Sequence, residues 1–338
     1  MFKKFNLKKN SIHIVSLSCN PIPPPRYGGI ELIVSNLCVG LGSLGANVVC
    51  YSPGEIGIEN TRHVKTSESP TPSIKDGGPP NSKEHLRNVA SNLAANSIRG
   101  DIVLFNHADQ YRAIKKMISR FSLAKLNLFE VAHWMDSGLS KNIIYPSFAL
   151  KKHLRKQGWV IPHGINLKFA VEPCIDKNSN LFFAGRLTKD KGIDIALAAC
   201  KKIGCKLILA GPDNKSDYSK SILNDPSVIY LGELDYSQIF SQYYHSRGQI
   251  YLTQYVEPFG LSVIEAMAAG SPIITTGLGG TGETVLEGRT GFFCSTVDEI
   301  ARAYEKLDTI AFDDLVSRAK DFTVERMARS YLDLFLST

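Results

Sequence analysis

Short apolar runs and stretches of helical period alternate along the chain in two successive series. SIHIVSLS at 11–18 is rich in β-branched residues and reads as a first strand. The proline run NPIPPP that follows can be neither helix nor central strand, so it forms a stiff loop ending in Gly28-Gly29. A helix is expected from about Ile30, with Leu32, Ile33, Leu37, Leu41 and Leu44 on one face, and a second strand over 48–51. Residues 55–82 are dense in Ser, Thr, Pro and Gly and read as an exposed loop. Beyond it come a helix at 84–96, with Leu86, Val89, Ala90 and Leu93 inward, and strands at 101–105, 126–131 and 143–147. FALKKHLRKQG at 148–158 reads as a helix with a dense basic face, Lys151, Lys152, Arg155 and Lys156.

A polar interval at 172–180 reads as a hinge, and the second series starts after it. Strands are expected at 181–184, 206–209, 228–231, 249–252 and 272–276, with a helix at 262–269 stopped by Gly270. GRTGFF at 288–293 reads as a hairpin turn, and FTVERMARSYLDLFL at 322–336 as an amphipathic helix. Two βαβ arrays in succession predict two doubly wound α/β domains with a cleft between them.

Composition supports that division. A chain of 338 residues with 43% hydrophobic and 21% charged residues suits two globular domains, and no apolar run reaches the roughly 20 residues a membrane span requires. Four lysines before an apolar stretch ending at Cys19 imitate a lipoprotein signal, but His13 interrupts it and a buried first strand is the better reading. The seven cysteines have no C-x-x-C or metal spacing, which suits reduced thiols in a cytoplasmic protein. Residues 1–165 hold 21 Lys+Arg against 10 Asp+Glu, or +11, whereas the remainder holds 18 against 22, or −4. The basic half faces something acidic, such as a membrane surface, a phosphorylated acceptor or nucleic acid, or is simply a solvated face.

The candidate chemistry centres on VEPFGLSVIEAMAAGSPIITT at 256–276. Glu257 and Glu265 sit on either side of a loop-to-helix junction marked by Gly260, where free backbone N–H groups and the helix dipole suit phosphate. A carboxylate one turn into that helix can accept from paired ribose hydroxyls, and one on the loop before it from a sugar. Arg186 and Lys191, five positions apart on the loop after a buried strand, suit a diphosphate through a planar fork and a point charge. Gly28 and Gly29, between a strand and a helix, allow close approach of backbone N–H groups to a ligand. His107 and His133 each follow a strand, where a pocket histidine and a structural histidine are both open readings.

E-P-F-G-L-S-V-I-E-A-M-A-A-G-S-P-I-I, together with G-R-L-x-x-x-K-G and P-x-x-x-Y-G-G-I-E, resembles the family-4 retaining glycosyltransferases of GT-B fold. The resemblance implies two doubly wound Rossmann-like domains facing a central cleft: 1–170 for the acceptor, 171–318 for a nucleotide-sugar, and a helix at 319–338 returning to the first. It implies retaining transfer of a hexose-type sugar from a nucleotide diphosphate sugar, most often UDP-linked, to an acceptor hydroxyl in glycan, glycolipid or polysaccharide synthesis. It places Arg186 and Lys191 on the diphosphate, Glu257 on sugar hydroxyls and Glu265 on the ribose. Gly232, Glu233 and Leu234 would meet the base, and His133 would lie beside the transferred sugar. Gly28 and Gly29, with Phe259, Gly260, Leu261 and Ser262, would border the diphosphate. No Asp-x-Asp is present to hold a divalent cation, in keeping with a metal-independent mechanism without cofactor. The 55–82 loop would be a flap near the acceptor, and the protein would work in the cytoplasm or at the inner membrane face. A nucleotide-sugar epimerase of the same fold and a non-catalytic basic binding protein are the rival readings; nucleic acid is not an expected partner.

Overall fold

Each apolar run of the first series is a strand covered on both faces. In chain order the elements are β1 (Ser11–Val15), α1 (Gly29–Ser43), β2 (Asn47–Ser52), β3 (Thr61–Lys65), α2 (Lys83–Asn96), β4 (Ile102–Phe105), α3 (Ala108–Met117), α4 (Arg120–Leu123), β5 (Asn127–Val131), β6 (Ile143–Tyr145), α5 (Phe148–Leu154) and β7 (Trp159–Val160). The second series gives β8 (Leu181–Ala184), α6 (Ile193–Ile203), β9 (Leu207–Ala210), α7 (Asp217–Leu223), β10 (Val228–Tyr230), α8 (Tyr236–His245), β11 (Gly248–Tyr251), α9 (Leu261–Ala268), β12 (Ile273–Thr275), α10 (Thr281–Thr284), β13 (Gly291–Phe293), α11 (Val297–Lys306), α12 (Phe312–Ala319) and α13 (Val324–Ser337). This computed structural model describes residues 2–26, 28–55, 57–71, 81–134, 140–166 and 172–338. The chain divides into two units, Met1–Asn166 with Thr323–Thr338, and Leu167–Phe322.

The first unit carries a parallel sheet in the order β3-β2-β1-β4-β5-β6-β7. Successive strand residues point to opposite faces, so Ile12, Ile14, Val48, Ile102 and Leu104 pack with α1 and α13, while Val49, Val103 and Phe105 pack with residues of α2 and α3. From α13, Met327, Tyr331, Leu334 and Phe335 are buried in the first of these clusters. The second unit carries a parallel sheet in the order β10-β9-β8-β11-β12-β13. In both sheets the order reverses beside the first strand, at β1/β4 and at β8/β11. Loops leaving the carboxyl ends of such strand pairs are the usual ligand positions of open α/β sheets.

Three local expectations change. The stretch 55–82 is not all loop, because Thr61–Lys65 forms β3, parallel to β2. As an edge strand it buries little, which is why TRHVK reads as polar. Residues 72–80 of that expected flap lie outside the described residues. The basic helix at 148–158 stops at Leu154, where Arg155 turns left-handed with φ 52°. GRTGFF makes no hairpin: Gly291–Phe293 runs parallel to β12 as the sheet's last strand. Among the described residues no helix is long and apolar enough to cross a membrane.

Candidate functional site

In the second unit the loop after β8 supplies Arg186 and Lys191, and the loop after its neighbour β11 supplies Tyr255 and Glu257. The two loops are stitched together by the Gln254 amide, which donates to the Asp190 carbonyl at 2.8 Å. A single 3-10 turn at Lys189–Lys191 then aims the Lys191 side chain inward, where the residue is only 6% exposed. Its ammonium lies 2.9 Å from Glu257 Oε2, 2.8 Å from the Tyr251 hydroxyl and 2.5 Å from that of Tyr255. Both phenols also donate to Glu257 Oε2, at 3.1 Å from Tyr251 and 2.8 Å from Tyr255. The ammonium sits over both rings, 5.0 and 4.9 Å from their centroids. The two groups expected to grip different parts of a ligand therefore neutralise each other here. Arg186 is half-buried on the same loop, and its charge reaches the Tyr255 phenol. Burial first, then Glu257, pushes that phenol well above its usual range.

Backbone packing holds Glu257 from its other side. Gly279 pairs with it as an isolated parallel bridge, and the Gly280 amide donates to the Glu257 carbonyl at 2.7 Å. Three residues on, Gly260 caps α9 in the left-handed region at φ 92° with no side-chain hydrogen bond to the helix start. The first amides of Leu261 and Ser262 thus keep their outward dipole. The Phe259 side chain does not line this surface; it is buried edge-on to Phe322 at 5.7 Å.

Glu265, one turn into α9, faces Tyr243, whose hydroxyl makes a long 3.5 Å contact with it. Although part of the residue's surface is open, the carboxyl is enclosed by protein, and desolvation pushes it up to about 7. Among the described residues the buried Tyr236 hydroxyl nearby has no hydrogen-bond partner, and it feels the charge of Glu265. Among the described residues two phenols and no cation surround this acid, an arrangement suited to accepting hydrogen bonds from ligand hydroxyls. The unfolded carboxyl titrates near 4.5 and the folded one near 7, so stability falls as pH rises between those values and is lowest above them. Glu265→Gln is expected to stabilise the protein at pH 8 by on the order of 1–2 kcal/mol after allowance for partial exposure, read as a higher melting temperature, and to change little at pH 4. Thermal denaturation at both pH values checks this; an equal effect at both excludes the cause.

Gly232, at φ 74°, turns the chain after β10, and its carbonyl accepts from the Gly211 amide at 2.8 Å. Glu233 and Leu234 follow it. Leu231 and Leu234 line a shallow 360 Å³ groove with Ser237, Gln238, Ser241 and Gln242 of α8.

In the first unit His133 follows β5, and its Nε2 lies 3.0 Å from Asn106 Oδ1 at the end of neighbouring β4. Asn106 Nδ2 donates to the Val15 carbonyl at 3.0 Å, so Oδ1 is left to accept and His133 carries its proton on Nε2. Burial, with a smaller contribution from His107, pushes His133 down to about 3, and it stacks on His163 at 5.1 Å. A neutral imidazole with a lone pair on Nδ1 results. His107 instead caps α3, accepting from the Asp109 amide at 3.2 Å. Gly28 is buried against Pro24 and caps α1, while Gly29 is exposed as the first helical residue. Buried Glu31 lies beside them and accepts from Asn20 at 3.2 Å. Among the described residues no group of His, Cys, Asp and Glu is arranged to hold a metal ion.

Tyr251, Tyr255, Tyr236, Tyr243, Asn106 and His163 were not singled out from sequence as site residues. Only the position of Tyr255, two before Glu257, marked any of them.

The family described as "Glycosyl transferases group 1" matches residues 166–320. An uncharacterized glycosyltransferase of Methanocaldococcus jannaschii, MJ1178, is 31% identical over 299 residues, covering 79% of this chain and 80% of that protein. A glycogen synthase of Mycobacterium tuberculosis is 32% identical over 129 residues, covering 36% of this chain and only 31% of the synthase's own length. AviGT4, a glycosyltransferase involved in avilamycin A biosynthesis, matches with a TM-score of 0.77 at 21% identity, over 96% of this chain and 97% of that one. Anabaena Alr3699/HepE in complex with UDP-glucose matches with a TM-score of 0.72 at 16% identity, over 97% of this chain and all (100%) of that one. These structures establish the fold, GT-B, built from two parallel-stranded Rossmann-like units. With that fold, the match to the family over its second unit and the likeness to MJ1178 along most of its length, the chain belongs to the group 1 glycosyltransferases.

Proposed function

We propose that this glycosyltransferase is of the family-4 type and moves a hexose-type sugar from a nucleotide diphosphate sugar, UDP-linked by preference, to an acceptor hydroxyl with retention of configuration and without a metal. The observation that carries the reading is the placement of Arg186 and the Lys191–Glu257 pair at the β8/β11 switch point, on the loops that precede the side-chain-free start of α9. The UDP-glucose held by Alr3699/HepE supports a nucleotide-sugar as co-substrate.

The chemistry needs a place for the charge that grows on the departing diphosphate. Arg186, Lys191 and the amides of Leu261 and Ser262 supply fixed positive potential there, each cation contributing on the order of 3 kcal/mol in the transition state. Glu265, ionised above its pKa of about 7, accepts from the ribose hydroxyls, and the orphan Tyr236 hydroxyl completes that subsite. The chain at Gly232, Glu233 and Leu234 borders the base. Glu257, whose Oε2 is engaged, presents Oε1 to sugar hydroxyls. Within the first unit, the loop at Gly28 and Gly29 offers backbone amides suited to a phosphate-bearing ligand. His133, neutral at working pH, offers Nδ1 as an acceptor to a sugar hydroxyl. The acceptor hydroxyl attacks from the face the diphosphate leaves and passes its proton to a phosphate oxygen. The basic first half, including Lys151 and Lys152 of α5, suits an acidic or membrane-associated acceptor in glycan synthesis.

Arg186→Ala is expected to lower sugar transfer about 100-fold or more, with circular dichroism and melting temperature near wild type. Thermal-shift screening against UDP-, GDP- and ADP-sugars finds the co-substrate for that assay. An Arg186→Ala protein of full activity removes the proposal, and an epimerised free nucleotide-sugar formed without acceptor replaces it.

A further inference from the structure

An ammonium group has three N–H donors, and all three of those on Lys191 are engaged, by the Tyr251 hydroxyl at 2.8 Å, the Tyr255 hydroxyl at 2.5 Å and Glu257 Oε2 at 2.9 Å. Each phenol spends its single proton on the same Oε2. The result is a closed knot of five hydrogen bonds with no net charge and no spare donor on Lys191. As it stands, Lys191 cannot grip an anion without losing one of its three partners.

The two phenols are not equivalent. Tyr251 is 5% exposed and stacks on Phe183 at 6.0 Å, fixed inside the unit. Tyr255 is half-buried, and Arg186 lies within electrostatic reach of its hydroxyl. An anion drawn to Arg186 therefore arrives on the Tyr255 side of the knot.

We propose that Tyr255 is a positioning residue that occupies the diphosphate's place on Lys191, so that sugar-donor binding exchanges the Tyr255 hydroxyl for a phosphate oxygen on the ammonium. This rests on the assignment of Lys191 to the diphosphate. In the empty site the phenol keeps a buried cation and a buried carboxylate satisfied. When the ligand enters, Tyr255 gives up Lys191, and the Glu257 lone pair it releases becomes available to a sugar hydroxyl. The exchange makes Tyr255 a brake on affinity, set by the difference between a phenol and a phosphate oxygen as partners of the ammonium.

Tyr255→Phe keeps the ring and the cation–π contact but leaves one N–H of Lys191 and one acceptor site of Glu257 open. Calorimetric titration with UDP, and with pyrophosphate as a base-free probe, is expected to show binding about three- to ten-fold tighter than wild type, with a lower KM for the sugar donor. A residue that merely supports the fold predicts the opposite sign. Unchanged or weaker binding of both probes to a folded Tyr255→Phe protein overturns the inference. The wild type supplies an independent readout: pyrophosphate should produce a tyrosine ultraviolet difference spectrum, and a flat difference spectrum at saturation also overturns it. Arg186→Ala separates this from the underlying assignment. If that variant loses pyrophosphate while Tyr255→Phe shows no gain, only the exchange is wrong. If Arg186→Ala binds as wild type does, or the wild type binds neither probe, the assignment fails and the exchange with it.

Discussion

Lys191→Met is expected to destabilise the second unit by about 3–5 kcal/mol, a larger loss than a single surface charge ever produces. Methionine fills the stem of the lysine well, so packing changes little. What changes is the charge left behind. Glu257 is 9% exposed, and without the ammonium its carboxylate keeps, among the described residues, the two phenol protons at 3.1 and 2.8 Å as side-chain partners. Urea denaturation measures the loss. The double variant Lys191→Met/Glu257→Gln removes both charges and is expected to recover most of the stability, since a neutral amide needs no counter-ion. Neither protein is expected to transfer sugar. A loss below about 1 kcal/mol in the single variant contradicts the dry, mutually dependent pair described above.

Gly279→Ala is expected to cost more than about 3 kcal/mol and to abolish transfer even where some folded protein survives. Gly279 has φ 78°, in the left-handed region, where a side chain alone costs about 1–2 kcal/mol. The larger part is collision. A Cβ there would lie 2.2 Å from the Glu257 carbonyl oxygen and 2.5 Å from its nitrogen, both rigid backbone. The bridge between Gly279 and Glu257 must open, and with it the hydrogen bond from Gly280. Glu257 then leaves Lys191, so the damage reaches the knot without touching any of its side chains. Serine is expected to behave like alanine, and near-wild-type melting of either variant would exclude this close approach.

The outline of both sheets could be read from hydrophobic runs because parallel strands are buried on both faces and have little polar content. Reading failed where burial was one-sided or local. β3 carries Arg62, His63 and Lys65 at a sheet edge, and β13 is three residues long, paired through its backbone to β12. At the site, the loop positions of Arg186, Lys191 and Glu257, and that of Glu265 one turn into a helix, could be anticipated from glycines and strand ends. That Lys191 meets Glu257 could not, since 66 residues separate them and only the adjacency of β8 and β11 brings them together. Beyond the place of Tyr255 two before Glu257, nothing in the sequence set Tyr251 and Tyr255 apart from other aromatic residues. Their role comes from where two hydroxyls end, whereas ring hydrophobicity is all that a pattern registers.

The return of α13 to the first unit has a consequence for biosynthesis. The second unit is one uninterrupted segment, so all of its residues are synthesised before those of α13. The first unit, although begun earlier, lacks Met327, Tyr331, Leu334 and Phe335 until α13 has also emerged. The younger half of the molecule is therefore able to mature before the older one. A chain released just ahead of α13 would hold every residue of the second unit but leave open the apolar surface of the first on which α13 packs.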